Sequence, residues 1–342
     1  MTLTKKILVT GGAGYIGAHT VVELINAGYD PVIIDDLSKS DRTLLAGIEK
    51  ITGRKVDFYK GDCCDKEFVI GVFKTAGPFS SVLHFAAYKS VGESVEKPLM
   101  YYQNNIDSLV TVLDVMKENG VADLIFSSSC TVYGQPDHIP VDESAPFKRA
   151  ESPYGATKQM CERILEDAHL NGYRVVSLRY FNPIGAHPSA EMGELPVGAP
   201  NNLVPYITQT AAGVRDKLTV FGNDYDTPDG SCLRDFIHVV DLAIAHVKAM
   251  EYLVKRPEKK LVEAFNVGTG IGVSVLQLLD KFIKVTGVKL NYVIGPRRPG
   301  DVEKVYADPS KVNAALQWET KYSVEDSLRD AWRWEKKVRN IQ

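Results

Sequence analysis

Long apolar runs are missing from this chain. Although 44% of its 342 residues are hydrophobic, no stretch approaches the roughly 18 consecutive apolar residues of a membrane-spanning helix. The apolar residues therefore belong to a folded core, and no membrane partner is expected. Lys5 and Lys6 are followed only by Ile7-Leu8-Val9 before Gly11, too short a core for a secretory signal. Excess positive charge is missing as well. The 40 Lys and Arg residues stand against 43 Asp and Glu, a net charge of −3, which gives no field for gripping nucleic acid or an anionic bilayer. Any anion bound here must be met by a local basic pair. Cysteine is sparse, and the five present (Cys63, Cys64, Cys130, Cys161 and Cys232) are odd in number and scattered without metal-ligand spacing to His. That pattern fits reduced thiols in the cytoplasm rather than a disulfide framework or a metal centre. Tandem repeats and low-complexity tracts are absent too, which leaves one large α/β unit or about two domains.

What is present starts with Gly11-Gly12-Ala13-Gly14-Tyr15-Ile16-Gly17, placed between the apolar run Ile7-Leu8-Val9 and a helical segment reaching Ala27. A strand, a glycine turn and a helix form the arrangement in which a dinucleotide pyrophosphate meets backbone N–H groups at a helix start. The glycines make the turn, admit the phosphate and let the helix lie close to its strand. Val32-Ile33-Ile34 reads as a second buried strand, and Asp35 ends it 18 residues after Gly17, where a carboxylate accepts from an adenosine ribose. Asp35 and Asp36 together repel a 2′-phosphate, which points to NAD rather than NADP.

Further strands at 56–60, 81–85, 124–126 and 175–178 alternate with helices, including 98–119 and 154–169, in the rhythm of a parallel sheet covered on both faces. From Phe181 onward, Pro and Gly crowd a long loop, followed by smaller elements near 203–214, 218–221, 239–254, 274–285 and 290–294. The expected fold is α/β, a Rossmann-type doubly wound parallel sheet with a smaller C-terminal mixed α/β region. Residues 1–180 would form the dinucleotide unit and 181–342 a substrate-capping region whose chain can cross back to the first.

The chemistry should lie at Tyr154 and Lys158, four apart and thus on one helix face. A phenol titrates near 10; a neighbouring ammonium and an oxidised nicotinamide both favour the phenolate. Ser127-Ser128-Ser129-Cys130-Thr131 follows a strand directly, and hydroxyls at the C-terminal end of a parallel strand lie where open α/β sheets bind ligands. Ser129 is the candidate for bonding a reacting alcohol.

These features resemble the extended short-chain dehydrogenase/reductase superfamily. The runs 127–134, 179–187 and 229–235 and the segment Arg297-Arg298-Pro299-Gly300-Asp301 resemble its UDP-glucose 4-epimerase family. The resemblance implies an NAD site at Gly11, Gly14, Tyr15, Ile16, Gly17, Asp35, Asp36, Leu37, Ser38, Lys39 and Ser40. It continues through Asp62, Cys63, Phe85, Ala86, Lys89, Asn104, Ser127, Tyr180 and Phe181. It implies Tyr154 as base and acid, Lys158 as its tuner, and Ser129 at the sugar hydroxyl. For the UDP-sugar it points, beside Lys89, to Asn182, Asn202, Leu203, Thr219, Val220, Phe221, Arg234, Arg298 and Asp301. Forked Arg234 and Arg298 donors suit a diphosphate.

The implied reaction interconverts UDP-galactose and UDP-glucose through a 4-keto sugar with transient reduction of bound NAD. The resemblance also gives Val305 a gating role, because a small residue at that position leaves room for a 2-N-acetyl group, and it implies a homodimer through helices 98–119 and 154–169. Two other readings share these motifs. One is a nucleotide-sugar 4,6-dehydratase, which typically needs an Asp-Glu pair where Cys130 and Thr131 stand. The other is an NAD-binding regulator without catalysis.

Overall fold

The computed structural model describes residues 5–256, 261–298 and 302–341. The apolar runs become strands β1 (Lys6–Thr10), β2 (Asp30–Asp35), β3 (Asp57–Lys60), β4 (Ser81–His84), β5 (Asp123–Ser129) and β6 (Arg174–Tyr180). Between them run α1 (Tyr15–Asn26), α2 (Thr43–Thr52), α3 (Lys66–Ala76), α4 (Val91–Glu96), α5 (Pro98–Glu118) and α6 (Pro153–Ala168). Then follow β7 (Asn182–Ile184), α7 (Leu203–Ala211), β8 (Leu218–Phe221), β9 (Leu233–His238), α8 (Val239–Val254), β10 (Leu261–Val267) and β11 (Gly272–Ser274). The chain closes with α9 (Val275–Thr286), β12 (Tyr292–Gly295), β13 (Lys304–Val305), α10 (Ser310–Leu316) and α11 (Val324–Arg339).

Seven parallel strands form the main sheet in the order β10-β6-β5-β4-β1-β2-β3. Helices on both faces bury the central strands β1, β2, β4, β5 and β6, which is why these read as largely apolar runs, whereas the edge strand β3 has no buried residue. The first three strands build one half outward from β1, and the chain then crosses to β4 on the other side. This reversal opens a crevice at the C-terminal strand ends, beside Gly11, Phe85 and Ser129.

Two later elements return to this unit. Strand β10 pairs with β6, and α8 packs Leu242, Ala245, Ala249 and Leu253 into the same apolar cluster as Val21, Val22 and Leu24 of α1. The periodicity of 239–254 predicts a helix, but strand 261–267, helix 324–339 and the short strands 233–238, 272–274 and 304–305 went unforeseen. β9, β11 and β13 are too short, and only partly apolar, to stand out from loops. They are strands because they pair around β9, antiparallel with β11 and parallel with β13 and β7. Strands β8 and β12 make a separate parallel ribbon.

Candidate active site

The crevice is a cavity of about 380 Å³. Its cofactor-side wall begins where β1 ends. Gly11 has φ +71°, and a Cβ there would sit 2.7 Å from the Ala86 nitrogen; a Cβ on Gly17 would sit 2.3 Å from the Gly11 carbonyl oxygen. Only glycine fits both positions without opening the loop. Helix α1 starts at Gly14 with no side chain capping it, the arrangement a helix start keeps when its N–H groups serve an anion. Asp35 ends β2 with its carboxylate accepting from the Ala13 and Leu37 amides and the Ser40 hydroxyl at 3.1, 2.9 and 2.7 Å. Burial nevertheless pushes its pKa up. A glycine cradle, an uncapped helix start and a fixed carboxylate fit a dinucleotide.

Gly14, Tyr15, Ile16, Asp36, Ser38, Lys39, Asp62, Cys63, Phe85, Ala86, Lys89 and Asn104 line the same cavity. Leu37 is not in its wall; it takes φ +62°, forming the turn after Asp35.

The candidate reacting groups come from β5 and α6. Side chains alternate along a strand: Ser127 and Ser129 both line the cavity, whereas Ser128 bonds Glu162. Ser127 pairs its hydroxyl with that of Tyr180. Ser152 caps α6, accepting from the Gly155 amide at 3.2 Å, and this fixes Tyr154 in the first turn. The Tyr154 side chain lines the cavity together with Ser129. One turn on, Lys158 donates to the Ser127 carbonyl at 2.7 Å and lies 6.0 Å from the centre of the Tyr154 ring. A further turn brings Glu162, 5% exposed in its side chain, onto Arg179 at 2.6 Å. Arg179 also donates to the Tyr133 hydroxyl at 3.0 Å, and Tyr133 donates to Asn266 of β10 at 2.7 Å. This network braces the helix that carries Tyr154 and Lys158 against β6 and β10.

Burial dominates the electrostatics. It pushes the Tyr154 phenol well above its ordinary value, with Tyr180 adding to the rise and the Ser129 side chain opposing it. It also brings Lys158 down to about 8, against the opposing pull of Cys161 and Glu162. The expected lowering of the phenol by the ammonium is thus outweighed within the chain itself, because desolvation penalises both charged forms.

On the substrate side, Phe181, Asn182 and Asn202 line the cavity. Val305 lies outside its wall, yet it shares an apolar cluster with Phe181, Val132 and Cys130 and is paired in register with Arg234. Leu203, Thr219, Val220, Phe221, Arg234 and Arg298 are likewise outside the wall. The Arg298 guanidinium sits 5.6 Å from the Phe221 ring centre, so the β8 segment and the basic pair share one flank. Asp301 lies outside the described residues. Tyr88, Tyr101 and Glu194 line the cavity without having been anticipated. No local motif marks them; a single carboxylate in a proline- and glycine-rich loop carries no signal before the loop is folded.

Residues 8–331 match the family model described as GDP-mannose 4,6 dehydratase. The chain is 49% identical to a UDP-glucose 4-epimerase of Bacillus subtilis over 96% of each chain. Its fold superposes with a TM-score of 0.93 on the UDP-glucose 4-epimerase of Bifidobacterium longum in complex with NAD+ and UDP, at 43% identity, covering 98% of this chain and all of that one. The same score relates it to the Stenotrophomonas maltophila enzyme with bound NAD and formylated UDP-arabinopyranose, at 44% identity and 98% and 99% coverage.

Proposed function

We propose, from the premise that this chain belongs to the UDP-glucose 4-epimerase family of the extended short-chain dehydrogenase/reductases, how its own residues invert the sugar. It is an isomerase of UDP-glucose and UDP-galactose with NAD as cofactor. The observation that carries the mechanism is that Ser129, Tyr154 and Lys158 line one cavity wall, with Lys158 held on the Ser127 carbonyl one helical turn from the Tyr154 ring. Tyr154, as phenolate, takes the proton of the C4 hydroxyl, and Ser129 holds that oxygen in line. What NAD supplies when bound is reversible hydride acceptance at C4, together with a positive ring that favours the phenolate. Lys158, with its pKa at about 8, stays largely protonated at neutral pH and adds its charge to the same end.

The 4-keto sugar then turns to present its other face, and Tyr154 returns the proton. Turning requires a loose sugar site and a firm anchor, so affinity is placed in the remote diphosphate. Arg234 and Arg298 are assigned to it, with Thr219 to Phe221, Asn182, Asn202 and Leu203 around the nucleotide.

Val305 extends the substrate range. It is a small side chain beside Phe181, which supports turnover of UDP-N-acetylglucosamine as well. A dehydratase reading lacks its acid and base, because Cys130 and Thr131 follow Ser129. A homodimer through α5 and α6 is supported by three apolar side chains left exposed there: Leu99 at 80%, Met160 at 45% and Val110 at 40%. The five cysteines, all unpaired, support a cytoplasmic setting.

Incubation with UDP-galactose and, separately, with UDP-N-acetylglucosamine tests this reading. Both should yield their C4 epimers, and Tyr154→Phe should lower turnover by about 10²- to 10⁴-fold. An undiminished Tyr154→Phe rate refutes the assigned base.

A further inference from the structure

Glu194 belongs to neither half of the site as assigned, yet it touches both. It lies on the strap between β7 and α7, with a side chain only 12% exposed. Its Oε1 accepts from the Lys89 ammonium at 3.2 Å and from the Asn202 amide at 2.6 Å. Lys89 belongs to the cofactor mouth, where its ammonium is 5.8 Å from the Tyr15 ring centre at the start of α1. Asn202 belongs to the sugar-nucleotide side, as the N-cap of α7.

Asn202 is unusual for its position. An Asn at a helix N-cap normally accepts from the helix's own amides, but here it makes no such bond, because its amide is turned to Glu194. The strap that carries Glu194 is also clamped. Trp334 donates its indole N–H to the Glu194 carbonyl at 3.0 Å, and a Cβ on the preceding Gly193 would sit 2.4 Å from the same indole. A shift of Asn202 is therefore passed to Lys89 through the carboxylate, not absorbed by the strap.

We infer that Glu194 is a positioning residue that couples UDP-sugar binding to retention of NAD. The inference rests on the site reading above, in which Lys89 and Asn202 serve the two ligands. When the sugar nucleotide takes up the remaining donor and the carbonyl of the Asn202 amide, it fixes that amide on Glu194. Glu194 in turn fixes Lys89 over the cofactor mouth. Coupling between binding sites is reciprocal, so NAD strengthens UDP binding by the same factor.

The test is the rate of NAD loss from the NAD-loaded protein, measured by enzymatic cycling of the released cofactor with and without UDP. In the unaltered protein UDP should slow the loss by about tenfold, within the ordinary range of such couplings. Glu194→Ala should reduce that effect to less than about twofold. Glu194→Gln, whose carbonyl oxygen can still accept both donors, should keep most of it. Glu194→Asp, one methylene too short to reach both, should behave like the alanine variant, so a folding defect in Glu194→Ala does not decide the matter. UDP slowing that persists in Glu194→Ala and Glu194→Asp, or its absence in the unaltered protein, overturns the inference. Turnover of UDP-galactose by the unaltered protein is scored separately: if that conversion occurs without UDP-dependent retention, only the coupling fails.

Discussion

Replacing Lys158 with methionine should make the cofactor-free protein more stable while removing the function. Burial holds this ammonium at about 8 instead of 10.5, and each tenfold difference in proton affinity is worth about 1.4 kcal/mol. Keeping Lys158 charged therefore penalises the folded state by about 3 kcal/mol at pH 7. Methionine fills a similar volume without charge, but it forfeits the hydrogen bond to the Ser127 carbonyl, a loss of about 1–2 kcal/mol. The net expectation is a gain of about 1–2 kcal/mol.

The pH dependence follows from the sign of the shift. The folded-state value lies below the unfolded one, so the penalty is complete below pH 8, declines between 8 and 10.5, and vanishes above. Urea denaturation of the cofactor-free protein, with and without the substitution, at pH 7 and pH 10 measures it. A variant less stable at pH 7, or a gain that does not shrink at pH 10, refutes the claim that desolvation governs this lysine.

Val305→Tyr should abolish conversion of UDP-N-acetylglucosamine while sparing UDP-galactose; equal loss of both in parallel assays would show that the position does not gate the 2-substituent. Gly17→Ala should eliminate NAD loading, because its Cβ would meet the Gly11 carbonyl at 2.3 Å; cofactor content after purification reads this directly, and normal content refutes it. Leu99→Asp, at the most exposed large hydrophobic position among the described residues, should yield a monomeric mass by light scattering without lowering the urea midpoint; a persisting dimer would move the interface elsewhere.

The candidate cofactor cradle and the candidate pair of Tyr154 and Lys158 were legible in the residues alone. Both are local: glycine spacing fixes the turn before α1, and a four-residue interval puts Tyr154 and Lys158 on one face of a capped helix. The charge pair Asp35-Asp36, at the end of an apolar run, was legible for the same reason. Tertiary structure decided the rest. Strand β10 becomes the seventh strand only by pairing with β6, some 87 residues earlier by register. Val305 reaches Phe181, and Glu194 joins Lys89 to Asn202, only because distant segments fold over one crevice. Even the proton affinities of Tyr154 and Lys158 belong to the fold: the interval between them predicts mutual attraction of charges, but the water excluded around both raises one and lowers the other. Spacing along a chain specifies neighbours on a helix, whereas the dielectric around them depends on everything that packs above.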